Sequence, residues 1–156
     1  MVVDYRKRVY GRSDVDAEQP QAESELGRLC QDGELWPHKS PERRRQNDLL
    51  REAGEFYLKV RTAAQKAVLV RKVQSAGNLE RVNGFDASDG TDPDYVESCN
   101  RAIKTNDELR RAIHKQAGWQ GVVAVDLTVW GDFKPRELEL LRDGLKAVRS
   151  FMDARA

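Results

Sequence analysis

The sequence predicts an all-α fold of four to five helices packed around one core. Three observations support this prediction. Apolar residues recur at steps of three and four along most of the chain, prolines and glycines stand where those runs begin and end, and charged residues make up 34% of the 156. Such a composition is typical of amphipathic helices with solvated faces. A chain of this length is expected to form one domain.

The predicted organisation is an extended N-terminal arm followed by one helical domain. Residues 1–16 are polar, show no sustained period and are assigned to a flexible arm, which leaves residues 17–156 for the domain. A short first helix is expected between Pro20 and Gly33, where Leu26, Leu29 and Cys30 fall at helical spacing.

A long basic second helix is predicted from the Ser40–Pro41 start signal to about Ala76. Its apolar residues keep a period near 3.6, and they are Leu49, Ala53, Phe56, Val60, Ala63 and Ala67. Gly54 is the expected weak point of so long a helix. Residues 38–75 hold 10 basic and 4 acidic side chains, a net charge of +6.

An acidic loop is predicted over residues 77–92, and two further helices follow it. The third helix begins near Asp92–Pro93 and ends near Gly118, and the last begins at Pro135. Residues 86–97 offer oxygen ligands at five positions of a calcium-loop register, but Thr91 occupies the position that requires glycine. An acidic loop that leads into a capped helix explains these residues as well, so no metal is predicted.

The segment GVVAVDLTVWGDFKP, residues 121–135, is compatible with two structures. Alternation of valines and leucine with smaller residues is typical of a strand, but the sequence offers no comparable second strand. A helix over residues 122–130 is therefore favoured. It would place Val123, Leu127 and Trp130 on one side of a wide buried face, with Asp126 at its edge.

Asp126 is a candidate catalytic carboxylate, because aspartates that follow apolar strands hold metal ions in nucleoside triphosphatases and in two-metal nucleases. The first class needs a phosphate loop, GxxxxGK[ST], which is absent, and the second needs carboxylates from other strands. No nucleophile motif and no histidine–cysteine arrangement with catalytic spacing occurs either. The chain is therefore predicted not to be an enzyme and to need no cofactor.

The basic second helix is the predicted contact for nucleic acid or for an acidic partner. The candidate residues are Arg43, Arg44, Arg45, Arg51, Lys59 and Arg61. Basic helices neutralise phosphates, and the cluster at the helix start fits anion binding better than helix support. A solvated face, or pairing with the acidic loop, is the competing interpretation.

Two isolated cysteines, Cys30 and Cys99, are expected to be buried thiols, because a zinc site would have too few ligands. The absence of an apolar stretch of membrane length and of a secretory signal predicts a cytoplasmic protein without membrane contact.

Three short segments, GRL at 27–29, EAGEFY at 52–57 and DGLKAV at 143–148, are similar in order and texture to small helical prophage proteins of alpha-class proteobacteria. More distantly, they resemble the C-terminal region of transcription activators of phage-derived gene transfer agents. This resemblance implies a late-gene transcription regulator that binds DNA, RNA polymerase or both. A phage assembly or packaging subunit and a small inhibitor of a host protein are the alternatives.

Overall fold

The computed structural model describes residues 24–32, 35, 41–75 and 93–156, with side chains for all of these except residues 41–44 and 71–75. These residues form four α-helices and one π-helix in the order α1 Glu25–Gln31, α2 Pro41–Ser75, α3 Pro93–Val125, the π-helix Asp126–Trp130, and α4 Leu138–Arg155. The predicted all-α class and the long second helix are confirmed, and no strand occurs among the described residues. The predicted arm (1–16) and the acidic loop (77–92) lie outside them.

Helix α1 begins at a double cap. Ser24 is extended and its hydroxyl accepts a hydrogen bond from the Gly27 amide at 3.0 Å, as expected of an N-cap serine. The Asp132 carboxylate accepts a second bond from the Glu25 amide at 2.7 Å. Because free amides at a helix start need acceptors, Asp132 fixes α1 to the distant turn before α4.

Helix α2 is continuous, so the expected weak point at Gly54 does not interrupt it. A Cβ atom at this position would overlap the Leu26 side chain, and the γ-carbon of Val129 lies 3.6 Å from the same point. The glycine therefore permits α1 and the π-helix to approach α2 closely.

Helix α3 reverses its direction at Gly118. This residue has φ 73° and ψ −179°, a combination that is nearly confined to glycine. The predicted end of the third helix near Gly118 therefore corresponds to a hairpin, in which residues 93–117 form the first arm and residues 119–130, including the π-helix, form the second arm. Residues 122–130 are thus helical, as the sequence favoured.

The second arm ends in a widened turn. The Gly131 amide donates to the Asp126 carbonyl at 2.9 Å, and the Phe133 amide donates to the Leu127 carbonyl at 3.1 Å. Asp132 adopts a left-handed conformation with φ 58° and stops the helix. The last helix begins at Leu138 rather than at Pro135, because Glu137 has an extended backbone and serves as the N-cap.

One core joins the four α-helices and the second arm. Its fully buried members include Tyr57 from α2, Leu109 and Ile113 from the first arm, and Leu141 and Leu145 from α4. Val122 and Val125 enter it from the second arm. Polar contacts also tie α4 to other described residues: Arg149 bonds Glu52 at 3.2 Å, and the Arg142 Nε donates to the Leu35 carbonyl at 2.6 Å.

Candidate interaction surfaces

Asp126 lies where α2, the first arm and the second arm meet. Its Oδ1 accepts a hydrogen bond from the Tyr57 hydroxyl and lies 3.7 Å from the Arg61 Nε, while its Oδ2 lies 3.1 Å from Arg110 Nη2. Both oxygens are therefore occupied by side chains of other helices. The sequence predicts that Asp126 lies at the edge of a helix. In the structure its half-buried carboxylate joins three helical segments, and we call this site the junction.

The surroundings of Tyr57 at this junction favour a neutral phenol. Burial, and then the hydrogen bond to Asp126, raise the pKa of Tyr57 well above its ordinary value of 10.0, so the hydroxyl remains a donor. Two guanidinium groups face the carboxylate, so the three side chains together carry a net charge of +1. The side chains of Asp126, Arg61 and Arg110 are between 24% and 30% exposed, a range in which ion pairs are only partly screened by water.

The second arm and the turn that follows it present large apolar side chains to solvent. Their exposed fractions are 62% for Trp119, 47% for Val123, 39% for Leu127, 37% for Trp130 and 63% for Phe133. The first four lie at intervals of four, four and three residues and share one side of the helix. The backbone bond from Phe133 to Leu127 holds the fifth beside them. We call these five residues the apolar face.

The expectation that Val123, Leu127 and Trp130 would be buried is therefore wrong. The core takes the opposite side of the second arm, where Val122, Val125 and Thr128 are almost fully buried. The physical reason is the reversal at Gly118. It packs one side of the second arm against the first arm and α4, and no other described element covers the opposite side.

Trp130 connects the apolar face to the polar junction. The guanidinium carbon of Arg61 lies 5.6 Å from the centre of the Trp130 ring, within the range of a cation–π contact. Arg61 thus contacts both Asp126 and Trp130. These contacts restrain the position of Trp130 at one end of the face.

Of the six cations predicted as a contact surface, the four whose side chains the structure describes do not form one group. Arg43 and Arg44 occupy the first turn of α2, and their side chains lie outside the described ones. Arg45 and Lys59 are exposed, whereas Arg51 is half-buried and bonds Glu55 at 2.6 Å. Arg61 is directed into the junction with Asp126. Exposed Asp48, Glu52 and Glu55 also alternate with the cations on the outer side of α2.

Other features of the described residues offer little chemistry. A shallow depression of about 340 Å³ between α2 and α3 is lined by Lys59, Arg101 and small side chains. Cys30 and Cys99 are buried free thiols, as predicted, and burial raises the pKa of Cys30 to about 12. No group of three potential metal ligands occurs in the described part of the chain, which omits residues 86–92 of the calcium-like segment.

Tyr57 and Arg110 were not foreseen as partners of Asp126. The available signal was a single carboxylate in an otherwise apolar run, which calls for a compensating donor. Tyr57 and Arg61, one helical turn apart on a mostly apolar side of α2, were the natural candidates. Trp119 and Phe133 were not singled out at all.

Comparisons with known proteins add no assignment, since no family model, no curated protein and no solved structure matches this chain. Among the described helices, none has the length and apolar character required to cross a bilayer.

Proposed function

We propose that this protein is a non-catalytic regulator of the phage type that binds RNA polymerase, DNA or both through the beginning of α2. One observation carries the proposal: the run Arg43–Arg45 occupies the third to fifth residues of a 35-residue helix. The amides at a helix start are unpaired and the helix dipole is positive there. Three arginines at this end therefore create a concentrated positive charge.

The state of the neighbouring cations defines the size of this surface. Arg45 is exposed and forms no ion pair within the described residues, so it is available to an external anion. Arg51 and Arg61 are engaged by Glu55 and Asp126 and contribute less. A short cationic surface suits an acidic patch on a protein, or a few phosphates, better than a long duplex.

The test replaces Arg43, Arg44 and Arg45 by alanine together. We expect binding to purified polymerase holoenzyme, or to duplex DNA at low salt, to weaken at least about tenfold, because each lost charged contact contributes on the order of 1 kcal/mol or more. Lys66→Ala with Lys115→Ala removes two exposed cations away from the start of α2 and serves as the control. Wild-type protein that binds neither partner, or a triple variant that binds as tightly as wild type, contradicts the proposal.

A second candidate function is that of an assembly subunit or a small inhibitor of a host protein. The apolar face favours it, because exposed contiguous apolar surface on a small protein marks interaction sites. A stable complex with one host protein, abolished by Trp119→Asp but not by the arginine triple variant, would support the inhibitor. A ring-sized mass in light scattering would support the assembly subunit.

A further inference from the structure

We infer that the apolar face is a self-association surface, on which the second arm of one copy packs antiparallel against the second arm of another. This inference is independent of the regulator proposal, which concerns the start of α2. It depends on four properties of the face: its pattern, its area, the charge around it and its preorganisation.

The pattern of the face is nearly symmetric about its centre. A tryptophan stands at each end, Trp119 and Trp130, and aliphatic side chains stand between them, Val123 and Leu127. If two such helices pair about a two-fold axis, Trp119 meets the partner's Trp130 and Val123 meets the partner's Leu127. An isologous interface requires this kind of self-complementary patch.

The area is sufficient for a specific dimer. With about 200 Å² for an aromatic side chain, the exposed fractions of Trp119, Trp130 and Phe133 amount to roughly 300 Å². Val123 and Leu127 add on the order of 100 Å². Two copies would bury about 800 Å² of apolar surface, and since interfaces are roughly 60% apolar, the whole contact would reach about 1,300 Å². Stable interfaces begin near 1,200 Å².

The charge around the face also permits contact between identical copies. The face contains no ionisable side chain, and Gln116 and Gln120 beside Trp119 are neutral. At the other end, the carboxylate of Asp126 compensates one of the two cations Arg61 and Arg110, which leaves a net charge of +1 at the junction. Antiparallel pairing places the two junctions at opposite ends of the contact, each next to the partner's Trp119. Two copies therefore bring no large uncompensated like charge together. A partner selected by electrostatics would instead require an uncompensated charge on the face.

The apolar face is also preorganised, because contacts within one copy already hold the second arm and Trp130 in place. The opposite side of the second arm lies in the core, Asp126 fixes its middle to α2 and to the first arm, and Arg61 restrains Trp130. Preorganised aromatic side chains lose little conformational freedom on association. Trp119 and Trp130 are therefore expected to supply most of the binding energy, since tryptophan is enriched among the residues that dominate binding at interfaces.

Sedimentation of the full chain tests the inference. We expect the wild type to sediment as twice 17.8 kDa at concentrations on the order of 100 µM. Trp119→Asp should raise the dimer dissociation constant roughly thirtyfold or more. It should keep its helical circular dichroism, since an aspartate directly after Gly118 suits a helix start. Leu69→Asp, at a 54% exposed position outside the face, is the matched control and should remain dimeric.

The orientation is tested by mixing two single-cysteine variants, Val123→Cys and Leu127→Cys, under mild oxidation. Antiparallel pairing predicts a mixed disulfide between the variants and little disulfide in either sample alone, because only the 123–127 pair falls within disulfide reach. The native thiols are buried and should not interfere. A monomeric wild type, a Trp119→Asp variant that dimerises as well as wild type, or disulfides formed equally in each separate sample would overturn the inference.

Discussion

Arg110 Nη2 lies 3.1 Å from Asp126 Oδ2, although an unbroken helix would separate the two residues by about 24 Å along its axis. This ion pair therefore records the reversal of α3 at Gly118. The same carboxylate accepts the Tyr57 hydroxyl, so one side chain fixes both arms of the hairpin to α2. The position of the apolar face follows from this junction.

Removal of the junction carboxylate should destabilise the protein. Asp126→Ala leaves the Tyr57 hydroxyl and Arg110 without their acceptor, and we expect the free energy of unfolding to fall by about 2–3 kcal/mol. Asp126→Asn keeps a hydrogen-bond acceptor without the charge, so its free energy of unfolding should fall by less. Urea denaturation of Asp126→Ala, Tyr57→Phe and the double variant Tyr57→Phe/Asp126→Ala gives the coupling energy between the two side chains. Asp126→Asn is measured in the same way. A coupling near zero would show that the two side chains act independently.

Gly118 should tolerate no ordinary side chain. Nothing lies within 4 Å of a Cβ atom placed there, so the penalty of Gly118→Ala is one of backbone conformation alone, about 1–3 kcal/mol. Gly118→Asn should not rescue stability, because ψ −179° is far from the left-handed helical region that asparagine accepts. Gln120→Ala, two residues away and exposed, is the control in thermal unfolding. Equal melting temperatures for Gly118→Ala and Gln120→Ala would disprove this prediction.

Stability should decline in alkaline solution from about pH 9. Burial raises the pKa of the Cys30 thiol from 9.0 to about 12, so the folded chain retains a proton that the unfolded chain releases. The stabilising contribution of the thiol is complete below pH 9 and is lost between pH 9 and 12, at up to about 1.4 kcal/mol per pH unit. The pKa of Tyr57 is raised from 10.0 in the same way, so this residue adds a second loss of stability that begins near pH 10.

The measurement compares the slope of unfolding free energy against pH for the wild type and for Cys30→Ala between pH 9 and 10, before Tyr57 contributes. The variant should be less stable at neutral pH, yet its slope in this window should be clearly smaller. Parallel slopes would show that another group controls the alkaline loss.

The sequence predicted the helices well because their ends carry local signals. Pro41 and Pro93 begin α2 and α3 as expected, and the turn after residue 130 was recognised from its glycine and proline. The last helix was placed three residues early because proline can also stand in the preceding connection, where Pro135 is buried. These features depend on neighbouring residues and can be inferred from them.

The junction and the apolar face were not predictable in the same way. Periodicity shows that Val123 and Leu127 share a side of a helix, but a neighbouring helix decides whether that side is covered. A glycine can end a helix, but its φ and ψ angles decide the direction of the chain afterwards. The partners of Asp126 come from α2 and the first arm, and one sequence gives no signal for such distant pairs.

The hairpin at Gly118 underlies both the core and the apolar face, so a distance across it tests the structure most directly. Spin labels at Lys104→Cys and Phe133→Cys, both at exposed positions, would report that distance by pulsed electron paramagnetic resonance in protein diluted with unlabelled chain. The folded hairpin predicts a separation of about 20 Å or less, and a continuous helix predicts more than 40 Å. A distribution centred above 40 Å would contradict the reversal, the junction and the face together.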